Sequence, residues 1–192
     1  IKKYLLKLII IGPYGTGKTS IVRRYCHNQY SVEYKATVGV DFQNKTVEID
    51  EPDVVYKITT QLWDIAGQDR QTAISRALYK DALGAVIVID SVDQVKFASQ
   101  LLETVSHIVD PFSQRPIPVV LFVNKCDLID KTAFVDEINE LNIPFQFTSA
   151  LTGEGIEKGF MELLKANLQT LKMEHQKENI LVNEVKSKNE KK

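Results

Sequence analysis

The sequence predicts an α/β fold, a doubly wound and mostly parallel sheet with helices on both faces. Three observations carry that prediction. Short runs rich in Ile and Val, nearly free of charge, fall at residues 4–11, 85–89 and 119–123. Such runs suit strands buried on both faces. Helical patterns fill the gaps, at residues 18–27, 72–82, 94–109, 131–141 and 155–171. A glycine-rich loop at residues 12–19 joins the first run to the first helix, the order in which strand, phosphate-cradling loop and helix occur together.

In chain order, residues 4–11 give the first strand and residues 18–27 the first helix. Residues 45–49 and 54–63 alternate more evenly between apolar and polar and flank the turn residues Asp50, Glu51, Pro52 and Asp53. A hairpin is expected there. Residues 145–148 give a last, short strand before the final helix. Past about residue 172 Lys, Glu, Asn and Gln dominate without Gly or Pro. Residues 1–173 are therefore read as one domain and residues 174–192 as a tail largely disordered in solution.

The 192 residues are 44% hydrophobic and 26% charged, an ordinary globular balance. A net charge of −1 gives no footing for a nucleic-acid partner. No apolar run approaches the ~18 residues that a membrane span needs. Cys26 and Cys126 are too few and too far apart for a disulfide framework or a metal site, which favours a reducing, cytoplasmic compartment.

The chemistry lies in five motifs, each at the carboxyl end of a predicted strand or the start of a helix, where such sheets bind ligands. Residues 12–19 match G-x-x-x-x-G-K-[ST]. Gly15 and Gly17 let the backbone of Gly15, Thr16 and Gly17 curl so that successive N–H groups face phosphates, and Ser20 lies in the first helical turn. Lys18 is placed to bridge the β- and γ-phosphates, and Thr19 to put its hydroxyl on Mg²⁺. Asp64, ending an apolar strand, suits the carboxylate that holds the metal, and Gly67 can offer its N–H to the γ-phosphate. Gln68 stands where an attacking water would be oriented. Thr37, in the polar stretch before Gly39, is placed to reach both metal and γ-phosphate in one nucleotide state only, a switch. The catalytic assignments are thus Gln68, Lys18 and Thr37; the metal set is Thr19, Thr37 and Asp64.

Base recognition follows from Asn124, Lys125, Cys126 and Asp127 after the fifth strand. A carboxylate at Asp127 can accept from both N1–H and the 2-amino group of guanine, a pattern adenine lacks. The Lys125 stem can lie along the ring. The Ala150 N–H can serve guanine O6, with Ser149 bracing the loop, and Tyr30 can wall the base edge.

With Thr37, Val38, Gly39, Val40, Asp41 and Phe42 and with Trp63, Asp64, Ile65, Ala66, Gly67 and Gln68 in view, the chain resembles the Rab branch of the Ras superfamily over residues 4–171. Within it, the runs around residues 18–27, 36–42 and 62–68 look most like the subgroup associated with lysosome-related organelles. The resemblance implies a P-loop NTPase G domain with a six-stranded sheet, GTP/GDP cycling with Mg²⁺, and slow hydrolysis. It also implies effectors, an exchange factor and a GTPase-activating protein, met through Val38, Gly39, Val40, Asp41, Phe42, Trp63, Leu78 and Tyr79. A prenylated C-terminal cysteine would place such a protein on the cytosolic face of intracellular membranes.

Four departures stand out. Gln68 is followed by Asp69, Arg70 and Gln71, without the family's phenylalanine. Leu78 precedes Tyr79 where a pair of tyrosines is usual, so two of three effector-facing aromatics remain, Phe42 and Trp63. Leu151 stands in place of lysine after Ser149 and Ala150, and its apolar side chain can still pack near the base. The last residues hold no cysteine; with Ile1 at the start, a shortened chain is the expectation. Tyr14 is a bulky residue in the phosphate loop. The hypothesis is that it slows hydrolysis or hinders an incoming arginine, which keeps a GTP-binding module with little hydrolysis as the alternative.

Overall fold

A computed structural model describes residues 1–33, 36–67, 77–111 and 113–189. Among them the elements run β1 (Lys2–Ile11), α1 (Lys18–His27), β2 (Val40–Glu51), β3 (Val54–Ile65), β4 (Gly84–Ile89), α2 (Val95–Ser106), β5 (Val119–Val123), α3 (Val135–Asn139), β6 (Phe145–Phe147) and α4 (Ile156–Asn189). Short 3-10 turns, Val92–Gln94 and Lys131–Phe134, lead into α2 and α3.

The six strands form one sheet in the order β2-β3-β1-β4-β5-β6. β2 runs antiparallel to β3, and every other pair is parallel. The charge-free runs became its inner strands, as a sheet covered on both faces requires. Side chains alternate along β1, with Leu6, Leu8 and Ile10 on one face and Ile9 and Ile11 on the other. On the first face α1 and α4 close the core, where Tyr25 stacks on Phe160 at 3.9 Å between ring centroids. Ala98, Leu101 and Val105 of α2 and Ile138 of α3 cover the second face.

The hairpin is longer than its sequence pattern: the ladder extends from Val40↔Ile65 to Glu51↔Val54, through pairs such as Phe42↔Trp63 and Asn44↔Gln61 that lie outside the alternating run at residues 45–49. The fourth helical pattern tightens into a 3-10 turn, where the Asp130 side chain accepts from the Thr132 N–H, before only five α-helical residues. Of the pattern at residues 72–82, residues 77–79 are helical. Residues 68–76, which include Gln68 and Gln71, lie outside the described residues. The last helix runs on to Asn189 instead of ending near residue 171. After Gly159 the chain has neither Gly nor Pro to end it and is rich in Leu, Glu, Lys and Gln, all good helix formers.

Strand direction sets where the site falls. Gly12, Ala66, Asp90, Asn124 and Thr148 each directly follow the carboxyl end of a parallel strand, so four of the five motifs meet along one edge of the sheet, and Thr37, before antiparallel β2, reaches the same edge through Thr19. Backbone bonds hold that edge in line: the Asn124 N–H donates to the Ile89 carbonyl at 2.7 Å, and the Thr148 N–H to the Val123 carbonyl at 2.8 Å.

Candidate nucleotide-binding site

The loop after β1 turns into α1 through Gly17, whose φ of 89° belongs to the left-handed region open to glycine. A Cβ there would meet Asn124 Nδ2 at 2.4 Å, so space as well as conformation requires glycine. The first intrahelical bond runs from the Ile21 N–H to the Gly17 carbonyl at 2.9 Å. The N–H groups of the first turn therefore face outward and add to the helix dipole, a ready site for an anion.

Lys18 is 6% exposed and its Nζ donates to the carbonyls of Gly12 at 3.0 Å and Pro13 at 2.8 Å. Burial lowers its pKa to about 8, against the opposing pull of Asp64 and Asp90. A buried cation whose partners among the described residues are carbonyls favours a neighbouring anion.

Three oxygens converge beside it. Thr19 Oγ1 lies 2.7 Å from Thr37 Oγ1 and donates to Asp64 Oδ2. Asp64 is 1% exposed, and its Oδ1 has no hydrogen-bond partner among the described residues. Burial raises the pKa of this carboxyl, with Thr19 and Lys18 pulling the other way. Two hydroxyls and a buried carboxylate with an orphaned oxygen fit the all-oxygen environment of Mg²⁺. Gly67 borders the same space: a Cβ on it would lie 2.5 Å from Lys18 Nζ and 2.7 Å from the Tyr14 nitrogen.

A cavity of about 210 Å³ opens here. Gly15, Gly17, Lys18, Thr19, Ser20, Tyr30, Thr37, Gly67 and Lys125 are among the residues that line it. Tyr14 lines it too, at 59% exposure. Thr16 is fully buried beneath the loop, its hydroxyl donating to the Pro13 carbonyl at 3.0 Å. Asp127, which is exposed, and Ser149, Ala150 and Leu151 are not among the residues that line this cavity.

Asn124 acts on the protein itself. Its Nδ2 donates to the Thr16 carbonyl at 2.8 Å, while its Oδ1 accepts from Thr148 Oγ1 at 3.3 Å and the Ala150 N–H at 3.2 Å. One buried amide thus joins the phosphate loop to the base loop. Ser149 does brace that loop, accepting from the Thr152 N–H at 3.2 Å. Lys125, at φ 60°, points its amine to Asp90 Oδ2 at 2.5 Å, which fixes the stem along the cavity wall.

Sequence reading passed over several neighbours. Arg23 lines the cavity four residues after Thr19, a spacing that puts both on one face of α1. Asp90 directly follows β4, and the carboxyl-end rule pointed to it. Gln29, Ser31, Val32 and Glu33 complete the wall, with no motif to announce them.

A strand, a glycine-rich loop and a helix around a buried lysine, with three oxygens gathered for a cation, define a P-loop nucleotide site. The chain matches the Ras family over residues 7–169 and belongs to it. It is 41% identical over 143 residues to Ras-related protein Rab-32A of Dictyostelium discoideum, covering 73% of this chain and 64% of that protein. Rab-32C of the same organism is 37% identical over 181 residues, 89% of this chain and 77% of the relative. Rab-1 of Theileria annulata is 36% identical over 168 residues, 85% and 74% respectively. The chain is thus a Rab-type small GTPase, a class that hydrolyses GTP and acts in membrane trafficking.

Proposed function

We propose that this chain is a Mg²⁺-dependent switch whose partners read the conformation set by bound GTP. The observation that carries the reading is the meeting of Thr19, Thr37 and Asp64 beside buried Lys18. Thr37 belongs to the loop before β2, so the state of the nucleotide is felt by Val38 and Phe42, 91% and 47% exposed. Mg²⁺, when bound, supplies charge at the β- and γ-phosphate oxygens. Lys18 and the N–H groups of the loop hold the phosphates, Gly67 keeps its side open, and Gln68 orients the water. Asp127 reads N1–H and the 2-amino group of guanine, the Ala150 N–H reads O6, and Asn124 keeps the two loops in register. Hydrolysis unaided is slow, since full charge neutralisation in this class needs an arginine supplied to the phosphates.

The partner face comprises Val38–Phe42 with Trp63, Leu78 and Tyr79. Phe42 meets the Trp63 ring edge-on at 4.5 Å between centroids, and Leu78 packs in the same apolar cluster. Effectors, an exchange factor and a GTPase-activating protein are its expected readers. Work on the cytosolic face of a membrane follows where a prenylated cysteine ends the natural chain.

The nucleotide carried through purification tests the reading, together with single-turnover hydrolysis of GTP with Mg²⁺ or with EDTA. GDP on the isolated protein and hydrolysis that needs Mg²⁺ are expected. A bound adenine nucleotide would overturn the assignment. Tyr14 lines the cavity beside Gly67, which favours its acting as a brake. A Tyr14→Gly variant should hydrolyse GTP severalfold faster, and unchanged intrinsic and stimulated rates would leave Tyr14 with no such role.

A further inference from the structure

Arg24 joins parts of the site that are distant in sequence. Its Nε donates to the Ala150 carbonyl at 2.9 Å and its Nη2 to the Leu151 carbonyl at 2.7 Å. Its Nη1 donates to the Asn28 carbonyl at 3.1 Å and to Asn28 Oδ1 at 3.0 Å. Asn28 is the left-handed cap of α1, at φ 54°, two residues before Tyr30 on the cavity wall. One half-buried guanidinium therefore holds the base loop at one end and the start of the first switch at the other.

The geometry uses the planar fork of arginine. Two adjacent carbonyls and a cap residue are met at fixed angles, which a single ammonium cannot do. Bonds inside the loop, such as Gly153 N–H to the Ser149 carbonyl at 2.8 Å, close it on itself. Arg24 ties it to α1, the helix whose first turn cradles the phosphates. The need is greater in this chain because Leu151, half exposed, has an apolar side chain that cannot tie the loop by a polar bond. The Ala150 N–H meets Asn124 Oδ1 at 3.2 Å, the long end of the usual range.

We infer that Arg24 is a positioning residue for guanine: by holding the Ala150 and Leu151 carbonyls it aims the Ala150 N–H and sets the residence time of the nucleotide. This rests on the reading of Ala150 as the partner of guanine O6. Hydrolysis is not its province, because its bonds all lie on the base side and the cap of α1.

The test follows release of GDP and of 6-thio-GDP from the full chain with Mg²⁺, chased by excess GTP. The thio analogue keeps N1–H and the 2-amino group but accepts weakly at position 6. Arg24→Met should speed GDP release roughly 10- to 100-fold, since only part of what two bonds from a charged donor contribute is passed on to the nucleotide. Arg24→Lys should fall between, since an amine reaches one carbonyl. The acceleration should be severalfold smaller for 6-thio-GDP, and single-turnover hydrolysis at saturating GTP should stay within about twofold. Unchanged GDP release in Arg24→Met overturns the inference. So does equal acceleration of both nucleotides, which marks a merely structural role. If the unaltered protein itself releases GDP and 6-thio-GDP at one rate, the O6 reading fails and takes the inference with it. If it distinguishes them and the Arg24 variants do not alter that difference, the inference fails alone.

Discussion

At the scale of single residues the site is a set of close approaches. Gly67 has no spare room: a Cβ would press on Lys18 Nζ at 2.5 Å and on backbone atoms of Pro13 and Tyr14 at 2.7 Å. The lysine tip can move, but the phosphate loop cannot without losing its shape. Gly67→Ala should therefore lower single-turnover hydrolysis at least about tenfold. Bound GDP, which has no γ-phosphate, should be retained nearly as well, and equal loss of GDP binding would contradict this account. Cys26 gives a pH dependence. Burial raises its pKa from 9.0 to about 11, Lys45 opposing. The folded state thus favours the protonated thiol, so this contribution to stability is present below pH 9 and lost as pH rises through about 11. At pH 8 the thiolate fraction is about one in a thousand, against about one in ten for an ordinary thiol of pKa 9. Alkylation of Cys26 by iodoacetamide should be slow in the native protein at pH 8 and should climb about tenfold per pH unit toward pH 11. A rate already level by pH 9 would contradict the raised pKa. Lys18, Thr19 and Asp64 were legible in the sequence because their roles depend on local spacing and strand ends. The ties made by Asn124 and Arg24 were not. Their partners lie 108 residues away at Thr16 and 126 at Ala150, and no local pattern encodes such a contact.

At the scale of elements, the inner strands and helix positions followed from hydrophobic periodicity, whereas lengths did not. β2 is an edge strand whose outer residues are polar, so its ends are set by pairing with β3 and not by its own pattern. Beyond its ladder with β3, that edge is tied to the helices by Lys45. Its Nζ donates to the Tyr25 carbonyl at 2.8 Å, lies 3.8 Å from the centroid of the Tyr25 ring and meets Glu157 Oε2 at 2.9 Å. Three elements, β2, α1 and α4, therefore meet at one amine. The carboxylate is the lesser partner, since the Glu157 side chain is 62% exposed and screened by solvent. The carbonyl and the ring lie on the sheltered side. Lys45→Met, which keeps the apolar stem, should cost about 1 kcal/mol by urea unfolding, while Glu157→Gln should cost at most about 0.5 kcal/mol. The reverse order would make the ion pair the dominant tie.

At the scale of the whole molecule, the cavity edge joins segments that the sheet alone does not hold together. The phosphate loop, the first switch, the end of β3 and the base loop each contribute a buried or half-buried polar group. Among the described residues, Asp64 Oδ1 has no partner and the Lys18 ammonium bonds only to carbonyls. Unmet buried groups of this kind lower the stability of the ligand-free state, and a nucleotide with Mg²⁺ supplies the missing partners. Binding to the folded state alone contributes RT ln(1 + [L]/Kd), about 2.7 kcal/mol at a hundredfold excess over Kd. For a chain of 192 residues each kcal/mol moves Tm by about 2–4 °C. Stripping the nucleotide with EDTA and phosphatase should accordingly lower Tm by about 5–10 °C or more. GDP with Mg²⁺ should restore it and ADP with Mg²⁺ should not, the outcome expected from the proposed reading of guanine by Asp127 and the Ala150 N–H. Restoration by ADP would locate the stabilisation in the phosphate loop alone and remove the base loop from the account. A Tm unmoved by stripping would mean that the ligand-free edge finds its own partners, Asp64 Oδ1 included.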